Sequence, residues 1–156
     1  MKTQEFMNEA IKCSFHGMRT NAGGPFGAVV VKDGKIIGKG WNTVTTSNDP
    51  TAHAEINAIR DACKNLNTFE LKGCELYTSC EPCPMCLSTI YWARIEKIYY
   101  ANTRKDAAHI HFDDDFIYNE IPLPVEKRSI PMEQFGREEA IKAMKEWEEK
   151  EDKIEY

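Results

Sequence analysis

No stretch of this 156-residue sequence is a long apolar run, so no segment reads as a membrane span, and no membrane partner is expected. The amino-terminal Thr3-Gln4-Glu5-Phe6-Met7-Asn8-Glu9-Ala10-Ile11-Lys12 is amphipathic and lacks the continuous apolar core of a signal peptide, so it reads as a helix that stays in the protein. Positive charge is also scarce. Lys and Arg number 20 against 25 Asp and Glu, a formal net charge of -5. That balance disfavours a nucleic-acid partner, because such binding rests on neutralising phosphates with Lys and Arg. No repeat and no low-complexity linker appears, so residues 1–156 read as one domain, with 42% hydrophobic residues to build a core. Cysteine is not scarce, but three of the six crowd into positions 80 to 86. Such crowding suits reduced thiols and metal chemistry better than a disulfide framework, and so a cytoplasmic setting.

Two motifs stand out. His53-Ala54-Glu55 is followed downstream by Pro82-Cys83-Pro84-Met85-Cys86. An imidazole and two thiolates make three ligands for a tetrahedral Zn²⁺ and leave a fourth position open to water, which separates a catalytic site from a closed structural one. Glu55, two residues from His53, reaches that position without replacing a ligand and can carry protons to a departing amine. Cys80 extends the second motif to C-x-x-C-x-x-C. A closed site with Cys80 as fourth ligand is therefore the structural alternative, and a zinc-stabilised interaction module without turnover its functional counterpart.

Local patterning favours Cys83 and Cys86. Cys74 to Ser79 alternates and carries aromatic and β-branched residues, a strand with Cys80 at its end. Pro82 and Pro84 then suit a turn into a helix, with Cys83 and Cys86 flanking its first turn, where free N-H groups favour thiolates. Upstream, Asn48-Asp49-Pro50-Thr51 is a cap-like entry to a helix from Thr51 to Cys63, with Ile56, Ile59 and Cys63 on its apolar face. Two helix N-termini would thus converge on one metal. Pro25 to Lys32 and Lys35 to Asn42 form a hairpin around Asp33-Gly34, and Glu96 to Ala101 reads as a further strand. A fifth strand is expected between Pro122 and Met132. Ala140, Ile141, Met144 and Trp147 fall at helical spacing in the tail, predicting an amphipathic helix with an acidic end.

The paired motifs resemble those of the zinc-dependent cytidine deaminase superfamily, whose signature is H-x-E with P-C-x-x-C. Gly23-Gly24-Pro25-Phe26-Gly27-Ala28, the run from Thr45 to Glu55, and Thr78 to Cys86 look like the small bacterial guanine deaminases, as do Phe112 to Tyr118 and the terminal Tyr156. The likeness covers most of residues 5 to 132. It implies a three-layer α/β/α fold with a mixed sheet of about five strands. It also implies zinc-dependent hydrolysis of guanine to xanthine and ammonia in purine catabolism or salvage, on zinc held by His53, Cys83 and Cys86, with Glu55 catalytic. By motif match Asn42 contacts the base and Asp114 reads it, while the backbone N-H groups of Ala54 and Cys83 orient the attacking water. Asn42 is otherwise a candidate turn cap, and Asp114 sits within an acidic run, Asp113 to Asp115, of the kind usually solvated. Phe26 either stacks on a purine or fills core. Trp92 follows the likeness as pocket lining and otherwise reads as core. The resemblance further implies a homodimer in which the tail, 133–156, crosses to the partner and brings Tyr156 to its pocket. The nearest alternatives are deaminases of another aminopurine, guanosine or an aminotriazine, and the tRNA adenosine deaminases, which share the H-A-E and P-C-x-M-C elements.

Overall fold

A computed structural model describes residues 2–156. The chain forms two compact units, one running up to Asp115 and the other Phe116–Tyr156. In the first unit, helix α1 (Lys2–Arg19) is followed by the hairpin of β1 (Gly27–Lys32) and β2 (Lys35–Trp41), closed at Asp33 and Gly34, both with positive φ. The chain then runs through a short α2 (Val44–Ser47), α3 (Ala54–Leu66), β3 (Cys74–Cys80), α4 (Pro84–Trp92), β4 (Lys97–Asn102) and α5 (Arg104–His109). The four strands make one sheet in the order β2-β1-β3-β4, antiparallel except for the parallel β3/β4 pair, which α4 connects.

Period-two alternation divides the core between the two faces of this sheet. Ala28, Val30, Cys74 and Leu76 face Ala54, Ala58, Ile59 and Ala62 of α3 and Ile90 of α4. Val29, Val31 and Tyr77 face Ala10 and Cys13 of α1. Helices on both faces of a mixed sheet give the three-layer α/β/α class expected. Each fully buried Leu or Val contributes roughly 1.5–3 kcal/mol relative to exposure. What sets the spacing of α3 is smallness: a Cβ on Gly40 would meet the Ala54 carbonyl oxygen at 2.4 Å, so the helix backbone rests directly on β2.

The second unit begins within α6 (Asp115–Glu120) and continues through a 3-10 turn (Val125–Lys127) to α7 (Arg137–Glu149). The strand expected between Pro122 and Met132 is absent among the described residues. Pro122, Pro124 and Pro131 each lack a ladder N-H, and Arg128 instead binds the Leu123 and Ile121 carbonyls from its side chain. The tail helix exists as expected, yet none of its residues is buried.

Candidate active site

The entry to α3 starts later than the sequence reading placed it. Asp49 accepts the backbone N-H of Thr51 at 2.8 Å and its hydroxyl at 2.7 Å, and the Ala52 N-H binds the Asp49 carbonyl. This turn keeps residues 51 and 52 out of the helix, so that His53 becomes the N-cap with extended backbone (φ -69, ψ 159) and Glu55 falls in the first turn. Hydrogen bonding to Thr51 also holds the Asp49 carboxyl below the usual carboxylate range.

α4 begins as its prolines predict, with Cys83 as N-cap and Pro84 opening the helix. The Cys83 sulfur accepts the Cys86 N-H at 3.4 Å. His53 Nδ1 lies 3.5 Å from both Cys83 Sγ and Cys86 Sγ. Among the described residues these three are the one group of His, Cys, Asp and Glu side chains arranged to hold a metal ion. Cys80 stands outside it, its thiol directed at the Thr103 carbonyl at 3.6 Å, and burial pushes that thiol up to about 12.

The electrostatics of the trio suit a cation. A hydrogen bond from Cys86 lowers the Cys83 thiol, and the imidazole of His53 reinforces the effect. The same bond raises the Cys86 thiol, as do its burial and the charge of Glu55. A divalent ion held among these sulfurs would favour the thiolate form of both. The hydrogen bond to Cys83 raises the His53 imidazole. Two sulfurs and one imidazole nitrogen, partly to fully buried, form a donor set suited to zinc.

Glu55 is 6% exposed. Its Oε2 lies 3.3 Å from Cys86 Sγ, and its Oε1 accepts the Thr78 hydroxyl at 3.0 Å. Burial raises its carboxyl, as expected of a group that must hold as well as release a proton.

The other expected residues are placed as follows. Asn42 is buried, and its Oδ1 accepts the Val44 N-H at 3.1 Å, so it does cap a turn. That bond commits the oxygen and leaves the amide nitrogen as the end that can donate to a ligand. Gly23 presses against it so closely that a Cβ there would meet Asn42 Oδ1 at 2.3 Å. Phe26 pairs edge-on with Phe112, ring centroids 5.0 Å apart, so its ring is partly committed to packing. Asp114 is half-buried, its carboxyl raised first by desolvation and further by Cys83, and its charge acts on His53 in turn. Ala54 is fully buried at the start of α3. Trp92 ends α4, opposite the end that carries the cysteines, and is 61% exposed with the Arg94 guanidinium near its ring. Tyr156 lies in the second unit and is exposed.

Sequence reading gave no site role to Thr78, Phe112 or Asn57. Asn57 Nδ2 donates to the Trp41 carbonyl at 2.8 Å and to Thr43 Oγ1 at 3.0 Å, binding the residues on either side of Asn42 to the first turn of α3. A polar residue one helical turn after His53 was the available signal.

Comparison with known proteins agrees with this geometry. The model of the cytidine and deoxycytidylate deaminase zinc-binding region matches residues 1–102. The chain is 52% identical to the guanine deaminase of Bacillus subtilis (strain 168), over 100% of both chains. The X-ray structure of guanine deaminase from Bacillus subtilis superposes with a TM-score of 0.95, covering 98% of each chain. A tRNA-specific adenosine deaminase from Aquifex aeolicus (strain VF5) is 40% identical over 79% of each chain.

Proposed function

This chain belongs to the cytidine and deoxycytidylate deaminase family, and from that premise we propose that it is a zinc-dependent hydrolase converting guanine to xanthine and ammonia. The observation that carries the reaction type is a buried carboxylate, Glu55, set against the His53, Cys83 and Cys86 trio. Full-length similarity to a guanine deaminase supports the choice of base.

His53 Nδ1, Cys83 Sγ and Cys86 Sγ are the atoms to hold zinc, which when bound supplies a Lewis acid that brings the pKa of water to about 7. Glu55 takes one proton from the attacking water and delivers it to the guanine ring nitrogen, then takes the second from the hydroxyl so added to the carbon and delivers it to the amine as the C-N bond breaks. The backbone N-H groups of Ala54 and Cys83, at two helix starts, orient the water. The Asn42 amide donates to acceptors on the base. Asp114 accepts from the amide and amino donors of guanine, of which adenine lacks the ring amide. Phe26, backed by Phe112, stacks on the purine plane.

Ammonia release across guanine, guanosine, adenine, cytidine, an aminotriazine and tRNA tests the substrate. Turnover is expected with guanine foremost, and Asp114→Asn is expected to cut kcat/KM for guanine by about tenfold or more, as loss of one charge-assisted contact of 1.5–3 kcal/mol implies. A wild-type value for guanine in that variant removes Asp114 from base reading.

We infer a homodimer from the second unit. Ile130 is 76%, Phe135 95% and Met144 69% exposed, apolar surface that a soluble chain covers with a partner. A second copy, exchanging residues 133–156, is the cover consistent with closed two-fold assembly, and the exchange carries Tyr156 to the partner's pocket. Removing residues 150–156 is expected to impair guanine turnover at least tenfold while zinc content stays unchanged; unaltered kinetics would count against the lid. The six free thiols fit a reducing compartment, the cytoplasm, and no helix is long and apolar enough to cross a membrane among the described residues.

A further inference from the structure

The Thr78 hydroxyl binds Glu55, and Thr78 is 1% exposed in the middle of the sheet. It belongs to the β3 positions that face α3, next in register after Cys74 and Leu76, which are core. A threonine on an apolar stripe needs partners. It has two: its Oγ1 lies 3.0 Å from Glu55 Oε1 and 3.1 Å from the Cys80 carbonyl oxygen.

A hydroxyl carries a single proton. Directed at Glu55, that proton fixes one carboxylate oxygen and, through the planarity of the group, the direction of the other. Oε2 then points at Cys86 Sγ, 3.3 Å away, on the side of the metal-binding trio. Directed at the Cys80 carbonyl, the proton secures the end of β3, from which the chain passes through Glu81 and Pro82 to Cys83. Glu81 is itself held there, accepting the Arg104 backbone N-H at 2.9 Å. One rotor therefore couples the carboxylate on α3 to the strand that delivers a ligand to α4.

We propose that Thr78 is the positioning residue for Glu55, anchoring Oε1 so that Oε2 alone handles protons. The inference rests on the catalytic role assigned above to Glu55. Valine at this position has the same shape and no proton to donate. It leaves Oε1 without its partner in a buried site, and the carboxylate turns away from its working direction. Misplacing a catalytic group by about an ångström costs up to a hundredfold in rate.

Thr78→Val is therefore expected to lower kcat for guanine by roughly ten- to a hundredfold, with KM within about twofold of wild type, because the base contacts are elsewhere. Zinc content should stay at the wild-type level. Thr78→Ser keeps the hydroxyl and is expected to retain most of kcat. A wild-type kcat in zinc-loaded Thr78→Val overturns the proposal, and so does a Thr78→Ser variant that falls as far as Thr78→Val. Should Thr78→Val fail to fold, Thr78→Ala takes its place in the same comparison with Thr78→Ser. Glu55→Gln run alongside separates the two readings. Activity in Glu55→Gln would remove the role of Glu55 itself, whereas inactive Glu55→Gln beside unaltered Thr78→Val removes only the anchor.

Discussion

Glu55→Gln is expected to abolish ammonia release from guanine, with loss of at least the 10²- to 10⁴-fold that a positioned acid-base group supplies, while leaving zinc bound. The substitution preserves volume, and the amide nitrogen or oxygen can still meet the Thr78 hydroxyl. What it removes is the capacity to take up a proton and return it. None of the three metal-binding atoms belongs to residue 55, so metal content measured by mass spectrometry should match the wild type. The two readouts together isolate proton transfer. Full activity in the variant would remove Glu55 from the reaction.

The second large effect concerns the metal. Cys86→Ser is expected to lower zinc affinity by more than the 10- to 100-fold that loss of a supporting partner costs, and to bring guanine turnover to background. Cys86 is fully buried, its backbone N-H sustains the Cys83 sulfur, and its own sulfur stands 3.5 Å from His53 Nδ1. A serine hydroxyl is a harder, shorter ligand and is not ionised at neutral pH. Cys80→Ser makes the contrast, since its thiol faces the Thr103 carbonyl, and it should keep its zinc. Full zinc in Cys86→Ser, or loss of zinc in Cys80→Ser alone, would restore the closed site with Cys80 as ligand.

Much of this was legible in the residues. Alternation marked β3, the Asp33-Gly34 turn marked the hairpin of β1 and β2, and the prolines at 82 and 84 marked the α4 start and thereby selected Cys83 and Cys86 over Cys80. The α3 start was misplaced because a side chain decided it: Asp49 grips Thr51 through two hydrogen bonds, and propensity does not register such a turn. The fifth strand expected between Pro122 and Met132 is opposed by three prolines, none of which has an N-H to give a ladder. Short helices such as α5 depend on their caps, here a reciprocal pair between Thr103 and Asp106, and carry too few turns for a period to show. Thr78 received no role of its own because a threonine suits any strand. Only the register of β3 reveals that it shares a face with Leu76 and looks toward α3.

The close seating of α3 on β2 has a consequence for how this protein tolerates change. The Ala54 carbonyl that a Cβ on Gly40 would strike belongs to the residue between His53 and Glu55. One methyl group on the second strand would thus displace ligand and acid-base group together. The tolerance for error at the metal is set at a position that never meets it. Shortening the chain's conformational freedom by replacing that glycine with alanine, an ordinary route to a sturdier protein, is closed here by the reach of a single carbon atom.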